Sequence, residues 1–239
     1  MRLRLTLEYD GTGFHGWAAQ PGLRTVEGEL RRALAELYGV VDPLAVAGRT
    51  DAGVHALGQV ASVEVDGGPP PGRAAEALNT VLPDDVAVLA AEAATPDFHA
   101  RHSARSRAYR YRVFRRRAPS PFEARRSWWI PRPLEASALE RAAALLLGEH
   151  DFRAFTPADT QHEVFRREVF AARWVERGDH LDFEIEAESF LRHMVRVLVG
   201  TMVDHQPGQV EALLEGAPRT DAGRTAPPWG LYLERVTYP

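Results

Sequence analysis

The 239-residue chain carries 29 Lys+Arg against 33 Asp+Glu, a formal charge of −4, with 45% hydrophobic and 26% charged residues. That length allows one large or two small domains, and the balance is that of an ordinary globular protein, neither disordered nor membranous. The lack of cysteine excludes disulfides, thiolate catalysis and sulfur-ligated zinc, and the opening MRLRLTLEYD has no long apolar stretch, so a cytoplasmic protein with no membrane partner is expected.

Residues 3–9 alternate Leu3, Leu5, Leu7 and Tyr9 with Arg4, Thr6 and Glu8, the period-two pattern of a strand with one buried face. Asp10, Gly11, Gly13, Gly16, Pro21 and Gly22 break any regular pattern until Thr25, which can cap a helix carrying Val26, Leu30, Ala33, Leu34 and Leu37 and ending at Gly39. A short strand at 44–47, a glycine-bearing loop at 48–53, a strand over Gln59–Val65, a helix at 72–82 and a strand over Val86–Ala91 follow. The first hundred residues therefore spell β-α-β-β-α-β, the ferredoxin-like order.

The second half has a similar rhythm. Ser106–Phe114 and Trp128–Ile130 are strand-like, 135–147 is an Ala/Leu-rich helix, and Val164–Val175 is expected to pair with His180–Ala187 across an Arg-Gly-Asp turn. LLGEHDF at 146–152 reads as a helix end and turn, 190–203 and 208–215 as helices, and Leu231–Val236 as a closing strand. The fold class is α/β (α+β): two sandwiches of antiparallel sheet and helices, divided into residues 1–103 and 104–239.

All 29 cations are arginines, planar and able to grip phosphate with a bidentate fork. Ten of them fall between Arg101 and Arg126, against the single acid Glu123, interleaved with Tyr109, Tyr111, Phe114 and Phe122. Aromatic faces plus cations are the recurring kit for RNA, which nominates Arg110 and Arg112 as phosphate contacts. On a strand, however, Tyr109, Tyr111 and Val113 share one face and serve equally well as core.

The densest chemistry lies in Gly48-Arg49-Thr50-Asp51-Ala52-Gly53-Val54-His55-Ala56. A carboxylate there can act as nucleophile or base, and a guanidinium two residues away favours its ionised form. The plainer alternative is an Asp that closes an Asx turn, with Arg49 as a surface ion-pair partner. His99, His102, His150, His162, His180, His193 and His205 form no HxxxH-type pair with a carboxylate on a helix face, so no metal site is expected.

The string GRTDAGVHALGQV at 48–60 resembles the signature of the tRNA pseudouridine synthase A (TruA) family. Further matches are YDGTGFHGW at 9–17, FHAR at 98–101, SRAYRYR at 106–112, LLGEHDF at 146–152, FLRHMVR at 190–196 and APPWGLYL at 226–233. Phe14 and Ala18 depart from the family's usual Tyr and Gln, and Asp204–Gly208 from its Val-Gly pattern. The resemblance implies the pseudouridine synthase fold, two ferredoxin-like sandwiches joined through antiparallel sheet around a central cleft. It implies isomerisation of uridine at positions 38, 39 and 40 of the tRNA anticodon stem-loop, without cofactor or metal, by a homodimer.

By the same resemblance Asp51 is the essential carboxylate, acting at C1′, on the 2′ proton or at C6 of the ring. Arg49 takes the space vacated by the extruded nucleotide or holds the adjacent phosphates, Tyr109 stacks on the flipped uracil, and Arg196 pairs with the catalytic carboxylate. His55 is expected to be structural, and Leu231 and Tyr232 to form a hydrophobic wall. Two rivals are a non-catalytic RNA-binding module, in which Asp51 only shapes a loop, and a small-substrate hydrolase using Asp51 and His55. From the helical spacing, Phe190, Met194, Val197, Leu198 and Thr201 form a buried stripe with Arg192, Arg196 and Val199 off it.

Overall fold

A computed structural model of the chain describes residues 1–160 and 162–239. They divide into two compact units, Met1–Arg105 with Tyr232–Pro239, and Ser106–Leu231.

The first unit runs β1 (Arg2–Tyr9), α1 (Val26–Leu37), β2 (Val40–Val46), β3 (His55–Asp66), α2 (Pro71–Asn79) and β4 (Val86–Ala93), the expected βαββαβ order. Its antiparallel strands lie β4-β1-β3-β2, which is the ferredoxin-like arrangement. Along β1 burial alternates residue by residue, and Leu3, Leu5 and Leu7 are wholly inaccessible to solvent. Each such leucine contributes roughly 1.5–3 kcal/mol by leaving water. Leu30, Ala33 and Leu34 of α1 and Ala74 and Leu78 of α2 complete that core. The Thr25 hydroxyl accepts from Gly28 N–H at 3.2 Å, a cap worth about 1 kcal/mol, and Glu27 and Glu29 place negative charge on the helix's positive end.

The second unit runs β5 (Ser106–Phe114), β6 (Trp128–Trp129), α3 (Ala136–Ala144), β7 (Gly148–Asp151), β8 (Arg166–Arg177), β9 (His180–Ala187), α4 (Met194–Asp204) and α5 (Pro207–Leu213). Its sheet order is β6-β5-β9-β8-β7. Register sorts the residues cleanly. Tyr109 faces Ile185, Tyr111 faces Phe183 and Val113 faces Leu181, while Arg110 and Arg112 stand opposite Glu184 and Asp182 on the other side of the sheet.

Three expectations are corrected here. LLGEHDF is not only a helix end and turn: Gly148–Asp151 forms the edge strand β7, paired with β8. The helix expected from 190 begins at Met194, because His193 sits at φ 61, outside the right-handed helical region, and leaves Phe190 and Arg192 in an irregular lead-in. Val199 is buried with the rest of α4, whose residues from Met194 to Val203 are all buried except Arg196.

The last strand, β10 (Leu231–Thr237), departs from the expected division at 103/104. From Tyr232 onward it belongs to the first unit, where it pairs in parallel with the start of β3 through Tyr232 with His55 and Leu233 with Ala56. The reason lies in β3, whose first residues extend beyond the reach of β2, which pairs only from Ala61 onward. Tyr238 then donates to the Ala100 carbonyl at 2.6 Å and packs on Phe98. Among the described residues no helix is long and apolar enough to cross a membrane.

Candidate active site

The loop between β2 and β3 is held from below by buried polar groups. Gln59, fully buried on β3, donates through Nε2 to the Gly48 carbonyl at 2.7 Å and to the Tyr9 hydroxyl at 3.3 Å. The Tyr9 hydroxyl in turn meets Thr50 Oγ1 at 2.7 Å. Burial pushes the Tyr9 phenol up to about 12, so it stays a neutral hydrogen-bonding group. Each of these polar atoms is satisfied inside the protein, as burial requires.

The sides of the loop are fixed by the segment after β1. Trp17 N–H donates to the Thr50 carbonyl at 3.0 Å and Gly53 N–H to the Phe14 carbonyl at 3.3 Å. A Cβ on Gly11 would stand 2.0 Å from the Val54 carbonyl oxygen, and one on Gly16 would stand 2.8 Å from that of Thr50. Gly16 also adopts φ +90, so two separate constraints require glycine there. These contacts explain why DGTGFHGW is glycine-rich: it is a backbone clamp on residues 50–54.

Thr50 is buried, Asp51 half-buried and Arg49 exposed. The turn after Asp51 is closed by main chain, Val54 N–H donating to the Asp51 carbonyl at 3.1 Å. A carboxylate on a backbone fixed from two sides is positioned in advance, the condition for a catalytic group that must meet one atom of a substrate.

His55 is buried at the start of β3. Its Nδ1 accepts from Gly11 N–H at 3.1 Å and lies 3.1 Å from Asp10 Oδ1, and its ring stacks on Tyr232 at 4.6 Å between centroids. It therefore ties the clamp segment to β10. Tyr232 is occupied as the other face of that stack.

Tyr109 and Arg196 belong to the second unit. Tyr109 is buried on β5 with its ring edge-on to Phe190 at 5.0 Å. Tyr111 is core, its hydroxyl donating to the Pro227 carbonyl at 2.8 Å, and burial pushes its phenol well up. Arg196 is half-buried on α4, donating through Nε to the Ala226 carbonyl at 2.9 Å while Ala226 N–H returns a bond to the Arg196 carbonyl at 3.0 Å. The structure thus brings Arg49 and Asp51 together on one loop of the first unit and places Tyr109 and Arg196 in the second.

Several arginines of the basic segment have partners within the protein. Arg107 is buried and donates to the Glu188 carbonyl at 2.7 Å. Arg110 lies 3.9 Å from buried Asp182, Arg112 donates to Glu123 at 3.4 Å, and Arg115 to Glu176 at 3.1 Å. The strand arginines nominated for phosphate, Arg110 and Arg112, are thus partnered by acids of their own unit. Burial raises the Asp182 carboxyl against the opposing pull of Arg110, Arg112 and Arg177. Residues the sequence reading misses are Tyr9, Thr50 and Gln59, and the one available signal is a glutamine within the otherwise apolar run from Ala56 to Ala61. Among the described residues no group of three or more His, Asp or Glu is placed to hold a metal ion.

A fold of this class, with an Arg-Thr-Asp loop clamped between β2 and β3, agrees with comparisons to known proteins. The family model described as tRNA pseudouridine synthase matches residues 6–103 and 142–239. A tRNA pseudouridine synthase A of Moorella thermoacetica is 44% identical over 243 residues, covering 99% of each chain. The proteins of the same name from Bacillus subtilis and Thermus thermophilus are 42% and 44% identical, over the whole of this chain and 99% and 97% of theirs. The chain belongs to the tRNA pseudouridine synthase family. It is accordingly an isomerase with the pseudouridine synthase fold.

Proposed function

We propose that the protein converts uridine to pseudouridine at positions 38, 39 and 40 of the tRNA anticodon stem-loop, with Asp51 as the essential carboxylate. The observation that carries this reading is the clamp: Tyr9, Gln59, Gly11 and Gly16 hold the backbone around Asp51 far more tightly than a surface turn requires.

The reaction is an isomerisation and balances within the nucleotide. The C1′–N1 bond breaks, the uracil turns, C5 bonds to C1′, the hydrogen on C5 leaves as a proton and N1 gains one. The target is extruded from its stack before this can happen. Asp51 acts on the sugar at C1′, on the 2′ proton, or at C6. Arg49, exposed on the same loop, fills the vacated space or holds the neighbouring phosphates. Tyr109 offers an aromatic face to the flipped uracil, and Arg196 supplies positive charge for the carboxylate. The protein works as a homodimer in the cytoplasm, without cofactor.

The test is release of tritium from tRNA labelled at C5 of uridine, because forming the C-glycoside displaces that hydrogen. Release from transcripts with uridine at 38, 39 or 40, and none from transcripts lacking it there, is the expected result. An anticodon stem-loop carrying those uridines that releases no tritium sinks the proposal.

A further inference from the structure

Beyond the ion pairs of β5, the segment that follows carries exposed positive charge. Arg116 and Arg117, both exposed, pair with no carboxylate among the described residues. The Arg116 guanidinium is held instead by the carbonyls of Ala118 and Pro119 at 3.2 and 3.1 Å, with its centre 5.2 Å above the Phe114 ring. It is positioned but keeps its charge. The segment's one acid, Glu123, is occupied internally by His180 at 3.1 Å and Arg112 at 3.4 Å.

The same stretch of chain carries two further features. A cavity of about 350 Å³ opens between Arg115, Arg116, Arg132 and the prolines beside Arg132, with Asp179 as its one acid. Phe122 is 89% exposed on the bend and Trp129 42% exposed, its indole N–H fixed on the Arg116 carbonyl at 2.9 Å. A phenylalanine so exposed makes no core, and an exposed aromatic face in an arginine-rich stretch matches a nucleic acid better than an acidic protein.

We propose that residues 115–134 of the second unit form a docking surface for tRNA, with Arg116 at the cavity and Arg117 next to it in the chain on backbone phosphates, and Phe122 stacking on a base. This rests on the tRNA-modifying reading above and adds a contact distinct from the residues assigned there to the reacting nucleotide. Arg116 and Arg117 take the phosphate role that the strand pattern gives to Arg110 and Arg112.

The experiment measures binding of full-length tRNA transcript across a salt series, with turnover at saturating tRNA. Arg116→Gln with Arg117→Gln is expected to weaken binding about tenfold near 100 mM salt and to lower the salt slope by about 1–2, as loss of phosphate contacts does. Saturated turnover stays within about twofold, since no group assigned to the chemistry is touched. Phe122→Ala is expected to weaken binding about tenfold with an unchanged salt slope, because stacking releases no counterions. Arg173→Gln, which removes a cation already paired with Glu184 at 2.7 Å, leaves affinity within about twofold.

Wild-type affinity and slope in the arginine and Phe122 variants overturn the proposal, as does an equal loss in Arg173→Gln, which would reflect net charge alone. A change in sedimentation without a change in tRNA affinity also overturns it, by making the surface a contact between copies. If the wild type itself neither binds tRNA nor releases tritium, the functional reading fails and this one with it. Wild-type activity with unaffected variants fails this inference alone.

Discussion

The hydroxyls of Tyr9 and Thr50 meet at 2.7 Å in the buried floor beneath the loop that carries Asp51. Because Gln59 also donates to Tyr9, Tyr9→Phe leaves two buried partners without their shared group. The expected cost is about 1–3 kcal/mol of stability, read by urea denaturation. Single-turnover rates on tRNA are expected to fall by more than the unfolded fraction explains, because the loop loses its floor while Asp51 is retained. A rate loss no larger than the unfolded fraction would make the floor a stability feature only.

Asp51→Asn keeps the size and backbone of the residue and removes its charge. Turnover is expected to be lost while tRNA affinity, measured by filter binding, stays within about threefold. Retained isomerisation in this variant would show that another group does the chemistry.

Gly16→Ala forces a Cβ to within 2.8 Å of the Thr50 carbonyl oxygen at a φ of +90. Backbone on both sides must move, so activity should drop at least tenfold, with a destabilisation of more than about 1 kcal/mol. The matching control is Gly72→Ala in α2, where a new Cβ meets nothing within 4 Å; it should stabilise by roughly 0.5–1 kcal/mol through helix propensity. Equal behaviour of the two variants in thermal melts would remove the clamp from the account.

Tyr109 and Tyr111 lie two residues apart on the same face of β5 and separate the core and stacking roles. Tyr111→Phe removes the bond to the Pro227 carbonyl and should cost about 1–3 kcal/mol with saturated turnover unchanged. Tyr109→Leu keeps an apolar side chain against Phe190 but loses the aromatic face, and should lower turnover at least tenfold with a smaller stability change. The reverse pattern would return Tyr109 to the core.

Burial works to raise the Glu123 carboxyl, but its bonds with His180 and the Arg112 charge outweigh that and hold it below its ordinary value. A depressed folded-state value means the stabilisation is complete above the unfolded carboxylate value, about 4.3, and is lost as pH falls through the folded one. The stability gap between wild type and Glu123→Gln should therefore be open at pH 5 to 6 and close as pH falls below about 4. A gap that stays open below pH 4 would show that the carboxylate's charge is not what pins the bend.

The first unit is legible in sequence because its elements are half-buried: β1 alternates cleanly and Thr25 announces α1. α4 is not, since a helix buried almost all round has no apolar stripe to read, and this is why Val199 falls off the expected one. Its start is equally hidden, because the left-handed backbone of His193 has no residue-type signature. β7 is a short edge strand whose Gly148 and Glu149 are exposed, so no alternation marks it. Around Asp51 the motif is plain, whereas the floor made by Tyr9 and Gln59 depends on strand register. The same holds for Arg110 and Arg112, whose acids become neighbours only once β5 and β9 are paired.

The pairing of His55 with Tyr232 sets an order in time. Most of the first unit is complete by Arg105, yet its β3 edge beside the Asp51 loop stays open until the ribosome has made the whole second unit and then β10. Such a distant closure is slow to form, and an unpaired strand edge in a partly made chain is a site for wrong pairing. The nascent protein therefore holds the Asp51 loop early and gains the strand that seals it last.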